Sequence, residues 1–263
     1  MPLRRPTDVR LTLRFYAQLN DFLAPNVRRR RFDHTLTAST SVKDTIEALG
    51  VPHPEVGLIL VNGVGQSFTY LLKDGDDVAV YPEFRQLAIK DTALLRPPRN
   101  GGDGNNRNPM RAFVLDIHLG KLAAFLRLGG LDAVLHGDDA DIATIAATEG
   151  RIVLTRDIAL LKRSAVTYGY WVRETNPERQ FAEVIDRFDL EDLLEPFTRC
   201  MRCNAVLAPV DREAVADRLP PRVRATFHDF RLCTGCQRVY WAGSHHRRLA
   251  ELVERARSGL TRT

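Results

Sequence analysis

Long apolar runs are missing from this 263-residue chain. Nothing in it approaches the roughly 18 consecutive apolar residues of a membrane span, which excludes a helical membrane anchor. The N-terminal stretch MPLRRPTDVRLTLRF carries positive charge but no apolar core segment, so no signal peptide and a cytoplasmic location are expected. Lysine is scarce, with five against 33 arginines, a ratio that codon bias alone can produce. Cysteine is scarcer still: four, all between Cys200 and Cys236. In a reducing compartment so few cysteines, arranged in two close pairs, argue for a metal rather than disulfides. What is present is an ordinary globular composition, 44% hydrophobic and 27% charged, with length for two or three small domains.

The net charge of +5 is unevenly spread. Residues 111–195 hold 10 Lys/Arg and 15 Asp/Glu, a net of −5, whereas residues 199–263 hold 13 Arg and 6 Asp/Glu, a net of +7. An acidic centre beside a basic tail fits a cation-binding site next to a surface for a polyanion.

The first stretch, residues 8–90, alternates strand and turn signals. Val9–Phe15 alternates apolar and polar residues as a half-buried strand does. Arg28–Arg31 leads into a second strand, Phe32–Leu36. Ser41–Leu49 reads as a helix with Ser41 as N-cap, Asp44 in its first turn and Gly50 after its end. Leu58–Val61 and Val78–Tyr81 are short strands, and Asn62-Gly63 is a hairpin turn. This order is that of a β-grasp. LILVNG at 58–63 and LKDGDDVAVYP at 72–82 resemble the ubiquitin-like sulfur carriers of thiamine and molybdopterin synthesis. Those carriers act through a free C-terminal Gly-Gly. Here Gly101-Gly102 is internal, so a binding or positioning module is expected, with a protein partner or Arg28–Arg31 phosphate contacts as its uses. Residues 91–110 read as a flexible Pro/Gly/Asn-rich linker.

Residues 111–195 alternate short apolar runs with helical stretches, the pattern of a parallel α/β sheet. The runs are Ala112–Ile117, Asp132–Leu135 and Ile152–Leu154, with a fourth strand at Thr167–Val172. Leu119, Leu122, Ala123 and Leu126 make one apolar stripe, and Lys121 and Arg127 fall off it. Acids stand where the runs end: Asp116, then Asp138, Asp139 and Asp141, then Asp157. In such sheets ligands bind at the carboxyl edge of the strands. Carboxylates gathered there suit Mg²⁺ or Mn²⁺ and the metal-assisted cleavage of a phosphodiester, with 5′-phosphate and 3′-hydroxyl products expected. Taken singly, each acid has a plainer reading as a helix cap or turn residue. Asp116 is the hardest to explain that way, because it closes an apolar strand. His118 is a candidate ligand or proton donor, and Thr155 and Arg156 are candidate phosphate contacts.

Cys200-Met201-Arg202-Cys203 and Cys233-Thr234-Gly235-Cys236 are two CxxC knuckles in residues 197–248, ahead of a basic tail at 249–263. Four thiolates suit a closed tetrahedral, structural Zn²⁺ site. Arg218, Arg222, Arg224 and Arg231, then Tyr240-Trp241, His245-His246 and Arg247-Arg248, interleave basic residues with aromatics as a single-stranded nucleic-acid surface does. Trp241 reads better as a cover for the small metal module.

FVLDIHLGKLAAFLRLGGLDA, RIVLTRDIALLKR, RCMRCNAVL and CTGCQRVYWAGSHHRR occur in one order. On these motifs the segment from Phe113 to Arg248 resembles the Mut-seven C-terminal ribonuclease domain, a PIN-like nuclease with a fused zinc ribbon. Bacterial members also carry a ubiquitin-like domain in front. The resemblance implies an α/β fold: a PIN-like parallel sheet with helices on both faces, an N-terminal β-grasp domain and a C-terminal zinc ribbon. It implies a metal-dependent ribonuclease with Asp116, Asp141 and Asp157 as catalytic Mg²⁺/Mn²⁺ ligands, Asp138 or Asp139 substituting for Asp141. Zn²⁺ would sit on Cys200, Cys203, Cys233 and Cys236. Lys121, Arg127, Arg156, Arg247 and Arg248 are the expected contacts to RNA, single-stranded or at unpaired ends, tRNA included. Two other readings stay open: a non-catalytic RNA-binding protein, and a toxin-like nuclease held by a cognate inhibitor.

Overall fold

A computed structural model describes residues 8–82, 112–243, 251, 253 and 254. The expectations for the linker, for His245-His246 and for Arg247-Arg248 lie outside the described residues.

The N-terminal sheet is built from β1 (Val9–Phe15), β2 (Phe32–Leu36), β3 (Val56–Val61), β4 (Val64–Gly65) and β5 (Asp77–Pro82), with α1 (Val42–Ala48) between β2 and β3. Its order is β2-β1-β5-β3-β4. β1 runs parallel to β5 and antiparallel to β2, and β3 runs antiparallel to both β5 and β4. The alternation in β1 does what it predicts: Leu11, Leu13 and Phe15 point into the core with Ile46, Ile59, Val78 and Val80. α1 starts where Ser41 accepts from the Asp44 amide, and Ser41 Oγ donates back to the Asp44 carboxylate at 2.6 Å. A cap of this kind contributes about 1 kcal/mol. Past its end a Cβ at Gly50 would lie 2.6 Å from the Phe22 carbonyl oxygen, and φ there is +108°, so only glycine fits. Asn62 and Gly63 both have positive φ, as a tight hairpin with the twist of its strands requires.

The second sheet is formed by β6 (Ala112–Asp116), β7 (Asp132–His136), β8 (Ile152–Thr155) and β9 (Gly169–Trp171) in the order β7-β6-β8-β9. Its helices are α2 (Gly120–Leu128), α3 (Asp139–Glu149), the single turn α4 (Ile158–Leu161) and α5 (Pro177–Arg187). β6 pairs in parallel with β7 on one side and β8 on the other, so it is central and carries Phe113, Val114 and Leu115 fully buried. Each such side chain contributes about 1.5–3 kcal/mol on leaving water. The α2 stripe packs as its spacing predicts, with Leu119, Leu122, Ala123 and Leu126 buried. β9 is shorter than the run from Thr167 to Val172 suggests. α3 is capped by Asp138, which accepts from the amides of Ala140 and Asp141, and it ends on the left-handed Gly150. α5 is capped by Asn176, with Pro177 following in the first turn, where its missing N–H costs nothing.

The third sheet is β10 (Leu207–Val210), β11 (Phe230–Cys233) and β12 (Val239–Trp241), antiparallel throughout. Two short helices, α6 (Arg212–Val215) and α7 (Pro221–Thr226), fill the interval between the knuckles. The chain thus has a mixed β-grasp sheet, then a parallel sheet with helices, then a cysteine-bearing ribbon. Among the described residues no helix is long and apolar enough to cross a membrane. The described residues group into two compact units: those up to 108 together with 157–170, and 109–156 together with those from 171 on.

Candidate active site and metal centre

β6 ends on Asp116, half-buried, and its register partner on β7 is His136, the last residue of that strand. Parallel pairing therefore brings a carboxylate and an imidazole side by side at the carboxyl edge. Asp116 Oδ1 accepts from the His118 amide at 3.0 Å, which fixes the side chain as the cap of a 3-10 turn over Ile117–Leu119. Asp141 is exposed in the first turn of α3, with Oδ2 at 3.5 Å from His136 Nδ1. That spacing is an ion-pair distance too long for a hydrogen bond. Asp157 follows β8 by two residues and caps α4, accepting from the Ala159 amide at 2.7 Å. The plain capping readings therefore describe real bonds of Asp116, Asp138 and Asp157. They do not exhaust these groups, since a carboxylate offers two oxygens and about four lone-pair sites.

Among the described residues only the four cysteines form a group whose metal-ligand atoms all lie within 4.8 Å of one another. Asp116, His136 and Asp141 do not reach that spacing. Asp139 is half-buried and His118 exposed. Thr155, a candidate phosphate contact, is fully buried, and its carbonyl accepts from the Val172 amide. His136 gave no signal in the sequence. The only clue is that the β7 run extends one residue past its last apolar position.

The basic residues divide sharply. Lys121 is exposed. Arg156 is exposed too, but its Nη1 donates to the carbonyls of Val172, Arg173 and Glu174. Arg127 is turned inward, 5% exposed, rather than toward a ligand. Its Nε donates to the Ala133 carbonyl at 2.7 Å, and its Nη1 to the carbonyls of Met201 and Arg202 at 3.0 and 2.9 Å. It thus ties β7 to the first cysteine knuckle. Asn204 makes a second tie: its Oδ1 accepts from the Ala133 amide and its Nδ2 donates to Asp132 at 2.7 Å. Burial works to raise the Asp132 carboxyl, but hydrogen bonds from Arg151 and Asn204, with the charges of Arg151 and Arg199, together hold it below its ordinary value. In the N-terminal sheet, Arg28 Nε donates to the Leu23 carbonyl and Arg31 pairs with Asp77, so the arginine run is partly engaged in its own fold.

The two knuckles repeat one local geometry. Cys200 N–H donates to the Ala205 carbonyl and Asn204 N–H to the Cys200 carbonyl; Cys233 N–H donates to the Arg238 carbonyl and Gln237 N–H to the Cys233 carbonyl. Asn204 and Gln237, each just past the second cysteine, both sit at positive φ. Cys203 Sγ lies 3.3 Å from Cys233 Sγ, and Cys200 Sγ lies 3.6 Å from Cys236 Sγ. Tetrahedral Zn–S bonds of about 2.3 Å put sulfurs roughly 3.8 Å apart, so the set is close to ligand spacing. The thiols also show why a cation belongs there. Burial works to raise Cys200, but the Tyr240 hydroxyl and backbone groups of Cys203 and Arg202 hold it down to about 6, while burial pushes Cys233 up to about 12. Four sulfurs this close resist ionising together, and a divalent cation removes that conflict. Trp241 packs with Val215, Leu219 and Phe230, whereas Tyr240 packs against Cys200, Leu207 and Cys233. Beside the ribbon strands lies a cleft of about 1010 Å³ lined in part by Arg212, His228, Arg231, Tyr240 and Trp241.

A parallel sheet with acids past its strand ends, joined to a four-cysteine site and preceded by a mixed β-grasp sheet, defines a modular α/β protein with a built-in metal-binding ribbon. The sequence comparisons narrow this class. The Mut7-C RNAse domain model matches residues 111–253, more than half of the chain, and the Mut7-C ubiquitin model matches residues 8–88. The chain belongs to the Mut7-C RNAse domain family. No curated protein and no solved structure matches it. The ubiquitin-like match covers the first of the three described sheets, and the ribonuclease-domain match covers the other two.

Proposed function

We propose that the chain is a metal-dependent ribonuclease. The match of residues 111–253 to a ribonuclease domain carries the reading, and the position of Asp116 at the end of the central strand supports it. Asp116, Asp141 and Asp157 would hold Mg²⁺ or Mn²⁺. When bound, that ion supplies the positive charge that acidifies a water and offsets charge building on the phosphate. The chain's own part is orientation. The His118 amide fixes Asp116, the Ala159 amide fixes Asp157, and His136 lies beside the exposed Asp141 at the strand edge. Zn²⁺ on Cys200, Cys203, Cys233 and Cys236 is structural, because four protein ligands leave no open position. Lys121, Arg156 and the basic ribbon with Arg247 and Arg248 hold unpaired RNA. Arg127 has no place in that surface. The location is cytoplasmic, and the products carry 5′-phosphate and 3′-hydroxyl ends.

The test compares cleavage of unpaired RNA by the wild type, Asp116→Asn and Asp157→Asn with Mg²⁺ or Mn²⁺ present, alongside RNA binding at fixed salt. Cleavage lost at least a hundredfold with binding retained supports the enzyme. A wild type that binds but cuts no RNA with either ion leaves an RNA-binding protein.

A further inference from the structure

Residues 157–170 contain one helical turn, α4, followed by a loop to Gly169. Their backbone bonds include those of the capped turn and its exit, Arg163 N–H to the Leu160 carbonyl and Val166 N–H to the Arg163 carbonyl. A single turn is unstable alone, because it makes few bonds for the backbone freedom it fixes. Yet Leu160, Leu161 and Val166 are fully buried, and the stretch belongs to the same compact unit as the N-terminal sheet.

The end of the stretch, Gly169 and Tyr170, lies in β9, and several further bonds come from the end of α1 and the turn after it. His53 is 6% exposed. Its Nε2 lies 2.8 Å from the Val166 carbonyl oxygen and its Nδ1 lies 2.6 Å from Glu47 Oε1. Lys162 Nζ donates to the Glu47 carbonyl at 2.7 Å. Glu47 therefore receives the segment's lysine on its backbone and His53 on its side chain. The ring of Phe68 meets that of His53 edge-on at 5.9 Å. A Cβ at Gly169 would lie 2.6 Å from Leu161 Cδ2 within the segment and 3.5 Å, an ordinary van der Waals contact, from Pro54 Cβ in the same turn. Both partners of the His53 ring are acceptors, so both bonds form together only when both ring nitrogens carry a proton. Burial, the largest influence, and Lys43 on α1 lower the His53 imidazole below its ordinary value, against the pull of Glu47 and the Val166 carbonyl, so the doubly protonated ring is disfavoured.

We propose that the ubiquitin-like domain is a clamp on the segment that Asp157 heads, with His53 as its positioning residue and Lys162 as the second hold. The clamp keeps α4 formed, and α4 is what the Asp157 cap is built on. The clamp itself stands on the contacts; its link to catalysis rests on the role proposed for Asp157.

Hydrogen exchange on the full-length, zinc-loaded chain tests it, with His53→Ala, His53→Gln and Lys162→Met. Exchange of the amides of 158–170 is expected to rise at least tenfold in His53→Ala and Lys162→Met, while β6, β8 and the N-terminal sheet stay protected. His53→Gln, which can still donate to Val166, should recover part of the protection. In RNA cleavage kcat should fall about tenfold in His53→Ala with KM unchanged. Unchanged exchange at 158–170 in both His53→Ala and Lys162→Met overturns the clamp. Raised exchange with unchanged kcat, in an enzyme that Asp157→Asn inactivates, overturns the positioning role. A wild type that cuts no RNA overturns the nuclease reading, while the exchange result still decides the clamp.

Discussion

Replacing Arg127 with methionine separates a strut from an RNA contact. Methionine keeps most of the aliphatic stem and removes the guanidinium. The lost bonds are three, to the carbonyls of Ala133, Met201 and Arg202, all from a side chain that is 5% exposed. A hydrogen bond from a charged donor contributes about 1.5–3 kcal/mol net, and a stranded buried acceptor costs about 1–3 kcal/mol. Two of the three bonds share one nitrogen, so simple addition overcounts. Burial lowers the Arg127 guanidinium, which means its own desolvation offsets part of the gain. The net expectation is a loss of about 3–5 kcal/mol. For a domain of this size each kcal/mol moves the midpoint by about 2–4 °C, so the zinc-loaded variant should melt roughly 6–20 °C lower by circular dichroism. Zinc should also leave it faster to a thiol-reactive dye, because Met201 and Arg202 lie inside the first knuckle. The reasoning fails if the melting point is within about 2 °C of wild type while RNA affinity drops with a shallower salt dependence. That outcome would return Arg127 to the RNA surface.

The other predictions concern the same region. Gly235→Ala should weaken zinc binding at least tenfold by competition with a chelating dye, since the new Cβ would meet Ala205 Cβ at 2.9 Å and Cys203 Sγ at 3.4 Å. Chelating the zinc should open the ribbon first. Among the described residues the ribbon's buried clusters are small, Cys200, Leu207 and Cys233 in one and Val215, Leu219 and Phe230 in the other, so β10–β12 should exchange amides before β6 does. Asp132 gives an acid limb. Its folded carboxyl lies below the ordinary 3.8, so it binds fewer protons folded than unfolded. Its contribution is complete above that value and is lost as pH falls through the folded one. Asp132→Asn should be less stable at pH 7 and show a flatter decline below about pH 4 in urea midpoints; an unchanged acid limb would refute the assignment.

Much of this fold was legible because its signals are local. The alternation of Val9–Phe15, the Ser41 cap with Asp44 three residues on, the Asn62-Gly63 turn and the α2 stripe each fit within one element, and each packs as its spacing implies. The paired CxxC motifs announced the tightest ligand cluster among the described residues. The residues that escaped act across long sequence distances. Arg127 lies off an apolar stripe, which normally means solvent, and its knuckle partners are 74 and 75 positions away. Asn204 looks like an ordinary residue after a cysteine, yet it satisfies Ala133 and Asp132. His136 matters only through the register that sets it beside Asp116. His53 sits between two prolines and reads as a turn residue until Val166, 113 positions on, is known to face it. The acids were found by position, but capping and coordination use the same residue types at the same places, so sequence alone cannot separate them.

The discontinuity of the first compact unit bears on how the protein is made. Its sheet is complete in sequence at Pro82, whereas the stretch that packs with it ends at Tyr170. Between the two lie roughly 90 residues, which a ribosome adds in about 4–18 s at ordinary elongation rates. During that interval His53 has its native Glu47 and Phe68, but its contact with Val166 and the Glu47 carbonyl's bond from Lys162 await later chain. The turn is therefore synthesised with part of its bonding deferred, a window in which chaperones or another nascent copy compete for it.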